Sequence, residues 1–295
     1  MNVISQIVDR LSIFENLYDT IRIIDPLDKK VLECVNENGH EYDKTCFGYW
    51  KKGSLCQNCV SIRVYWEQGT QVKLEYLEDK VYMIIASHVV IDNHRYIVEM
   101  IKNISPENNL VSKETKMHNI ESFIQEMNNK AVTDELTGVY NRRYLQERLP
   151  VDMNQCMQNN RPISLIALDL DMFSDVNRLY SYMAGDKVLR EAAQILLEQS
   201  AKINGWVAKY GGDKFVIVLN NYNEIDGYSL AENIRKTIEN SVFEWEEDSI
   251  KITASLTVCQ LKQTKNDIDE ILHLIKDGIY QAKNSGRNRT AVKVI

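Results

Sequence analysis

No stretch of this 295-residue sequence stays apolar over the roughly 18 or more residues that a membrane-crossing helix needs. Residues 1–10 also lack the charged segment followed by an apolar core that marks a secretory signal. Neither an internal repeat nor a low-complexity segment is present. These absences predict a soluble, cytoplasmic protein with no membrane partner.

Basic patches and runs of lysine are absent too, and the formal net charge is −7. Both observations argue against nucleic acid and anionic membrane surfaces as partners. The partners predicted instead are small molecules and a second copy of the chain. A composition of 44% hydrophobic and 26% charged residues is typical of soluble globular proteins, and the length allows two ordinary domains.

A glycine-rich hairpin is the most informative feature that is present. Residues 210–215 read Tyr-Gly-Gly-Asp-Lys-Phe and lie between two apolar, β-prone runs, 206–208 and 215–219. Two adjacent glycines permit the positive φ values of a tight turn and leave no side chain in the path of a ligand. The pattern predicts that Asp213 is presented at the tip, where a phosphate-bound metal ion could lie.

A second acidic position follows a predicted buried strand. Residues 163–171 form an apolar run that ends in Asp169 and Asp171. Of these two carboxylates, we predict that Asp169 is the one that faces the hairpin. Mg²⁺ prefers one or two carboxylates together with substrate phosphates, and Asp169 with Asp213 would supply that shell.

Five motifs that follow one another along the chain carry a family resemblance. They are Asp134-x-Leu-Thr-Gly-x-x-Asn-Arg-Arg143, Asp169-x-Asp-x-Phe173-x-x-x-Asn177, Gly185-Asp186, Gly211-Gly-Asp-Lys-Phe215 and Ala282-Lys283-x-x-Gly-Arg287-Asn288. From roughly residue 130 to 295 the chain resembles the GGDEF family of diguanylate cyclases. The resemblance implies an α/β (α+β) fold with a nucleotidyl-cyclase or ferredoxin-like sheet flanked by helices. It also implies that two GTP molecules, one per subunit, are condensed into cyclic di-GMP with loss of pyrophosphate.

The resemblance also implies roles for single residues. Mg²⁺ would be held by three groups, the carboxylates of Asp169 and Asp213 and the backbone carbonyl of Leu170. GTP would be bound by Phe173 behind the phosphate loop, by Asn177 and Asp186 as guanine readers, and by Lys283 and Arg287 at the triphosphate. An amide and a carboxylate suit the guanine edge, and cations neutralise the charge that develops on leaving pyrophosphate.

The signature is degenerate, because its usually acidic fourth position is Lys214. The lysine that usually follows Phe173 is replaced by Ser174. Two interpretations remain open: Lys214 supplies the phosphate-binding charge that is missing at Ser174 and contributes to catalysis, or a required carboxylate is gone and turnover is weak or absent. The family's Arg-x-x-Asp product-inhibition pair is also replaced, by Lys-Ile-Asn-Gly at 202–205, which argues against product feedback there.

Residues 1–105 have a different character, with many β-branched and aromatic residues. Three strand-like stretches are predicted at Val72–Leu77, Val81–Val90 and Tyr96–Ile101. Together with the apolar pattern at 16–25 they resemble a PAS-type sensor domain, in which short helices lie beside a five-stranded antiparallel sheet.

Four of the six cysteines lie in this half, at Cys34, Cys46, Cys56 and Cys59, and the last two form a Cys-x-x-Cys motif. Four thiolates within 26 residues suit a tetrahedral Zn²⁺ site or an iron–sulfur cluster. Redox-active thiols and inert buried thiols are the alternatives.

A segment without glycine, residues 106–133, separates the two halves. Apolar residues recur in it with heptad spacing, at Leu110, Met117, Ile124 and Ala131, and at Ile120 and Met127 between them. This pattern predicts a short coiled coil that forms a homodimer, and a single amphipathic helix packed on its own domain is the alternative. The predicted organisation is therefore a sensor domain at 1–105, a signalling helix at 106–133 and a GGDEF domain at 134–295.

Three functions are compatible with these features. One is a diguanylate cyclase that the N-terminal domain controls, with activity reduced by Lys214. Another is an inactive module that binds GTP or a related nucleotide and is coupled to a metal or redox sensor. The third is a metal or redox sensor whose C-terminal half only serves as a scaffold for a partner.

Overall fold

The computed structural model describes residues 4, 7, 10–14, 16–35, 45–51, 53, 55–105, 113–203, 205–261 and 268–294. The chain divides into two compact units, Met1–Ala131 and Val132–Ile295. The predicted signalling helix thus falls within the first unit as far as residue 131. Within the described ranges, no helix combines the length and the apolar character that a bilayer crossing requires.

The first unit is built on a five-stranded antiparallel sheet. Its strands are β1 (Thr20–Asp25), β2 (Lys30–Val35), β3 (Thr70–Leu77), β4 (Lys80–Ile91) and β5 (His94–Asn103), in the spatial order β2-β1-β5-β4-β3. The three strands predicted from the sequence correspond to β3, β4 and β5. The five-stranded antiparallel sheet is therefore observed, and its assignment to the PAS type stays a prediction.

One face of this sheet carries the core of the unit. The helix α1 (Val60–Glu67) and a 3₁₀ turn at Gly48–Trp50 pack against it. Alternate residues of β5, among them Ile97 and Ile101, point into this core and are fully buried. The four-residue separation of Ile97 and Ile101 follows from the two-residue period of a strand, which also places the buried Glu99 on the same face.

The helix α2 (Lys113–Lys130) packs on its own unit. Ile124 is buried, and Asn128 accepts a hydrogen bond from Asn58 and donates one to the carbonyl of Leu74. Met127, a predicted coiled-coil position, is half exposed. Leu110 and the side chain of Met117 lie outside the described residues. The observed packing corresponds to the alternative that the sequence left open, and the coiled coil stays a prediction.

The second unit contains the predicted hairpin within another five-stranded sheet. Its strands are β6 (Ile163–Leu170), β7 (Gly205–Gly211), β8 (Lys214–Asn220), β11 (Ala254–Leu261) and β12 (Thr290–Val294), in the order β12-β11-β6-β8-β7. Only the β11–β12 pair is parallel. A small separate hairpin is formed by β9 (Phe243–Trp245) and β10 (Asp248–Ile250).

Helices cover both faces of the larger sheet. They are α3 (Arg142–Gln158), α4 (Phe173–Leu179), α5 (Tyr182–Ser200), α6 (Glu224–Asn240) and α7 (Ile268–Asn284). One core lies between the sheet and α4, α5 and α6, and a second lies between the sheet and α3 and α7. Every residue of β6 is buried, because helices cover the strand on both sides. The mixed α/β architecture predicted for this half is thereby observed.

Candidate active site

The glycine-rich segment forms the predicted hairpin. Gly212 and Asp213 make the two-residue connection between β7 and β8, with Gly211 paired to Lys214. Gly211 has φ +149° and Gly212 has φ +58°, both in the region that glycine adopts without a steric penalty. The turn places Asp213 beside the end of β6, where the backbone N–H of Leu170 donates to its carbonyl at 3.4 Å.

Asp169 faces the hairpin, and Lys214 lies directly opposite it on β8. The Lys214 ammonium nitrogen is 2.9 Å from Oδ1 of Asp213 and 3.3 Å from Oδ2 of Asp169. The Asp169 side chain is only 4% exposed, whereas that of Lys214 is 46% exposed. A single ammonium group therefore contacts both carboxylates that the sequence predicted as metal ligands.

A second ammonium group reaches Asp169 from the last turn of α7. Nζ of Lys283 lies 2.6 Å from Oδ1 of Asp169. Burial raises the pKa of Asp169 above its ordinary value even though the hydrogen bond from Lys283 acts in the opposite direction. Burial lowers the pKa of Lys214, but its hydrogen bond to Asp213 and the charge of Asp169 outweigh this effect, so the pKa is raised.

The four charged groups lie on the face of the sheet that α3 and α7 cover. Ile163, Leu165 and Ala167 point into that core, and Asp169 continues the same alternation. A cavity of about 220 Å³ opens beside Asp169, Lys214 and Lys283. Apart from Lys276, the rest of its lining is aromatic or aliphatic, from Tyr210, Leu272, Ile275, Ile279, Tyr280 and parts of β6 and β8.

The two predicted guanine readers lie on helices that pack on the other face of the sheet. Asn177 is on α4 and Asp186 is the fifth residue of α5, and both side chains are partly exposed. A Cβ atom on Gly185 would lie 1.9 Å from Oδ1 of Asn177 and 3.1 Å from Cζ of Phe173. Glycine at this position therefore lets α4 and α5 approach closely enough to bring Asn177 beside the residue preceding Asp186.

The remaining predicted site residues are dispersed around this edge of the sheet. Leu170 ends β6 with its side chain fully buried, and Phe173 begins α4 and packs against the core. Arg287 is exposed and has φ +59°, and its backbone N–H donates to the carbonyl of Ala282 at 3.1 Å. The structure therefore brings four of the predicted site residues together, because Lys214 contacts Asp169 and Asp213 and Lys283 contacts Asp169.

Asp171 has a structural role that the sequence did not reveal. Its carboxylate is 4% exposed and accepts hydrogen bonds from Ser255 Oγ at 2.7 Å, Thr253 Oγ1 at 2.7 Å and the backbone N–H of Asn288 at 3.1 Å. It therefore ties the end of β6 to the segment before β11 and to the loop that contains Arg287. The signal for this role in the sequence was the pair of hydroxyl side chains at Thr253 and Ser255.

The motif at residues 134–143 also acts structurally. Oδ1 of Asp134 accepts hydrogen bonds from the backbone and hydroxyl of Thr137 and from Lys209 on β7. Burial raises the pKa of Asp134, but these hydrogen bonds outweigh it and lower the pKa below its ordinary value. Asn141 caps α3 by accepting from the backbone N–H of Tyr144 at 3.0 Å. The motif consequently anchors the start of this unit to its sheet.

The four cysteines of the first unit lie around a buried ion pair. Arg22 on β1 contacts Glu99 on β5 at 2.6 Å, and both side chains are almost completely buried. Cys34 on β2 is paired in register with Arg22. None of the six cysteines of the chain forms a disulfide.

The sequence predicted these thiols as the ligands of a metal centre. Within the part of the chain that the structure describes, no group of three or more cysteine, histidine or acidic side chains is arranged to hold a metal ion. Burial raises the pKa of Cys59 to about 12, and the charge of Cys56 adds to this effect. Burial likewise raises the pKa of Cys46 far above its ordinary value. The Zn²⁺ and iron–sulfur predictions are therefore unsupported, and these two thiols resemble inert packing residues.

The second unit is therefore a mixed α/β domain in which an acidic hairpin lies beside a strand-end carboxylate. The family described as "Diguanylate cyclase, GGDEF domain" matches residues 131–289, more than half of the chain. The protein therefore belongs to the GGDEF family.

Curated relatives agree with this assignment. Response regulator PleD of Caulobacter vibrioides is 32% identical over 165 residues, which cover 55% of this chain and 36% of PleD. Probable diguanylate cyclase DgcF of Escherichia coli (strain K12) is 30% identical over 176 residues, which cover 58% of this chain and 55% of DgcF. The chain thus spans little more than a third of PleD and about half of DgcF.

Solved structures show the same fold. The coiled coil and GGDEF domain of DgcB from Caulobacter crescentus, in complex with c-di-GMP, has a TM-score of 0.56 at 21% identity, over 61% of this chain and 95% of that chain. Diguanylate cyclase SiaD of Pseudomonas aeruginosa, in complex with its activator SiaC, has a TM-score of 0.54 at 22% identity, over 61% of this chain and 68% of that chain.

Cyclases of this family normally use Mg²⁺, and the residues of this site do not fit it without rearrangement. A Mg²⁺ ion held by both Asp169 and Asp213 would lie about 2.1 Å from an oxygen of each. The Lys214 ammonium nitrogen already lies within 3.3 Å of both carboxylates. A Mg²⁺ ion would therefore have to displace the Lys214 ammonium group from the carboxylates of Asp169 and Asp213.

Proposed function

We propose that this protein is a GTP-binding signalling protein of the diguanylate cyclase type that converts GTP into cyclic di-GMP slowly. The observation that carries the proposal is the contact of Lys214 with both Asp169 and Asp213. Asn177, Asp186, Lys283 and Arg287 match the family's nucleotide-site residues, although Ser174 replaces a lysine, and we expect them to preserve GTP binding. The two carboxylates are engaged by an ammonium group, so the site lacks the negative charge that attracts a catalytic divalent ion.

In the reaction, the 3′-hydroxyl of each GTP attacks the α-phosphate of the other and loses its proton to solvent, so that two phosphodiester bonds form and two pyrophosphates leave. Asn177 and Asp186 orient the guanine through its N1 and N2 donors and its acceptors. Lys283 and Arg287 neutralise the negative charge that develops on the departing pyrophosphate. Two subunits are required, because each presents one GTP to the other.

The first unit acts in this proposal as a PAS-like sensor, and α2 as the dimerising helix. The five-stranded antiparallel sheet supports the sensor role, and the continuous helix that ends at Lys130, next to the start of the second unit, supports the coupling. A signal in the first unit would change how the α2 helices of a dimer pack and thereby the distance between the two GTP sites.

Mass spectrometry of the product tests the proposed activity. Purified full-length protein is incubated with GTP and Mg²⁺, and cyclic di-GMP is quantified over time. We expect Lys214→Glu to form product about tenfold faster or more, because it frees Asp169 and Asp213 for the metal ion. Lys251→Glu, a charge reversal at an exposed lysine elsewhere in the unit, should leave the rate unchanged.

Two outcomes would contradict the proposal. If wild-type protein forms cyclic di-GMP as fast as Lys214→Glu, lysine compensates for the missing carboxylate and turnover is not slow. If neither protein binds GTP, the retained motif residues do not form a nucleotide site.

A second candidate is a module that binds the nucleotide without turnover and reports it through its dimer contacts. The full engagement of Asp169 by two ammonium groups favours it. This candidate predicts GTP binding with no product in the wild type, and a gain of activity in Lys214→Glu.

A further inference from the structure

The position of Lys214 has a consequence for how the nucleotide is held, which rests on the proposed GTP binding. Lys214 is the first residue of β8, next to Asp213 in sequence and opposite Asp169 across the strands. Its ammonium group therefore lies where the carboxylates of the strand end and of the turn converge. A cation at this position contacts both carboxylates.

A carboxylate at position 214 would create a different electrostatic situation. Three acidic groups would then converge on one point, and like charges directly opposite each other on neighbouring strands are destabilising. Closely spaced carboxylates cannot all ionise unless a cation offsets them. Such a site depends on a divalent ion both to remain ionised and to hold a polyanionic ligand.

With lysine at this position, the charges balance without a metal ion. The carboxylates of Asp169 and Asp213 face the ammonium groups of Lys214 and Lys283, so two negative charges meet two positive charges. A divalent cation gains little from approaching a neutral cluster. The partly exposed Lys214 ammonium group is the member of the cluster that can donate a hydrogen bond to a triphosphate.

The Lys214 head group is also available to a ligand. An ammonium group has three N–H donors, and the contacts with Asp169 and Asp213 use two of them. The side chain is 46% exposed, so the third donor can reach a phosphate oxygen. Lys283 is more enclosed at 28% exposure, but it lies on the same face of the sheet and adds a second positive charge.

We propose that the Lys214 ammonium group takes the place of a divalent metal ion in this site, so that the protein binds the triphosphate of GTP without Mg²⁺. The two carboxylates hold the lysine in position, and the lysine with Lys283 holds the phosphates.

Calorimetric titration with 3′-deoxy-GTP tests this proposal on the full-length protein. This nucleotide lacks the attacking hydroxyl, so binding is measured without turnover. Titrations are run with excess MgCl₂ and with EDTA for the wild type, Lys214→Glu, Lys214→Gln and Lys214→Arg. We expect the wild-type Kd to differ by less than about threefold between the two conditions, and the Lys214→Glu Kd to rise about thirtyfold or more in EDTA.

The other two variants separate charge from shape. Lys214→Arg keeps the positive charge and should retain binding in EDTA. Lys214→Gln removes the charge and should lose about tenfold in EDTA. Equal behaviour of wild type and Lys214→Glu in EDTA would overturn the assignment to Lys214. Binding of wild type only in MgCl₂ would overturn the inference while leaving the proposed function intact, and no binding in either condition would overturn both.

Thermal melting without nucleotide gives an independent readout. A cation that binds the folded state raises its melting temperature. We expect MgCl₂ to raise the melting temperature of Lys214→Glu and to leave that of the wild type unchanged. An equal rise in both proteins would show that Mg²⁺ binds despite Lys214 and would refute the proposal.

Discussion

At the scale of single residues, Asp169 and Asp171 are two positions apart and serve different purposes. Asp169 contacts two ammonium groups at the edge of the site. Asp171 accepts hydrogen bonds from two hydroxyl groups and one backbone N–H. Asp169 lies within β6, whereas Asp171 follows the last residue of the strand, Leu170. The residues that each side chain then contacts decide whether the carboxylate serves binding or stability.

Replacing Asp171 should destabilise the second unit. In Asp171→Ala, the hydroxyl of Ser255 and the backbone N–H of Asn288 lose a charged acceptor inside the protein. We expect a loss of about 3 kcal/mol in the free energy of unfolding, because hydrogen bonds to a charged group are strong and buried donors are left without a partner. Denaturant unfolding followed by circular dichroism measures this loss.

The matched control is Asp175→Ala, four residues along the chain. Asp175 forms an ion pair with Arg178 on α4, and the Arg178 side chain is 71% exposed. Exposed pairs contribute little, so the change should stay within about 0.5 kcal/mol. Comparable losses in the two variants would contradict the anchoring role of Asp171.

At the scale of secondary-structure elements, the sequence predicted those features whose pattern lies within a single strand or turn. The hairpin, β6 and the three strands of the first unit follow from apolar runs, alternation and glycine pairs. The approach of α4 to α5 could not be read in the same way. It depends on Gly185, whose missing side chain leaves room for Asn177 from the preceding helix.

Adding a methyl group at this contact should impair guanine recognition. In Gly185→Ala the new Cβ would lie 1.9 Å from Oδ1 of Asn177, so that amide must move. We expect GTP to bind about tenfold more weakly, because a displaced guanine reader leaves polar groups unpaired. Competition between GTP and ATP for the site, monitored with a fluorescent nucleotide, measures the discrimination.

Gly69→Ala serves as the control for this prediction. Gly69 lies in the first unit, where a Cβ meets nothing within 4 Å. Its GTP and ATP affinities should equal those of the wild type. Unchanged discrimination in Gly185→Ala would show that Asn177 does not read the base.

At the scale of the whole molecule, the proposed reaction needs two GTP sites and therefore two chains. The exposed face of α2 shares Met127 with the heptad seam that the sequence predicted, but it includes Phe123 in place of Ile124. Ile124 is buried within its own unit, whereas Phe123 is 60% exposed and Met127 is 50% exposed. These two side chains are four residues apart and so lie on the same face of the helix.

Charges placed on this face should weaken dimerisation. We expect Phe123→Glu combined with Met127→Glu to raise the dimer dissociation constant about tenfold or more, because two carboxylates would be buried in the interface. Sedimentation velocity measures the association. Cyclic di-GMP formation should fall in parallel, while binding of 3′-deoxy-GTP per subunit stays the same.

Ser122→Glu, at an exposed position on a neighbouring face of α2, is the control for the dimer. It should leave association unchanged. A double variant that dimerises as the wild type does would exclude the Phe123 and Met127 face as the interface.

The sequence alone determined the features that depend on neighbouring residues along the chain. The family motifs, the acidic turn at Asp213 and the carboxylate at the end of β6 are visible as short patterns, because turn formation and strand alternation are local properties. Only the tertiary structure decided which charges meet. Strand pairing places Lys214 opposite Asp169. Lys283, which also contacts Asp169, lies on a helix and is 114 residues further along the chain. Ile124 is buried within its own unit. Long-range packing brings these groups together, and no local pattern encodes it.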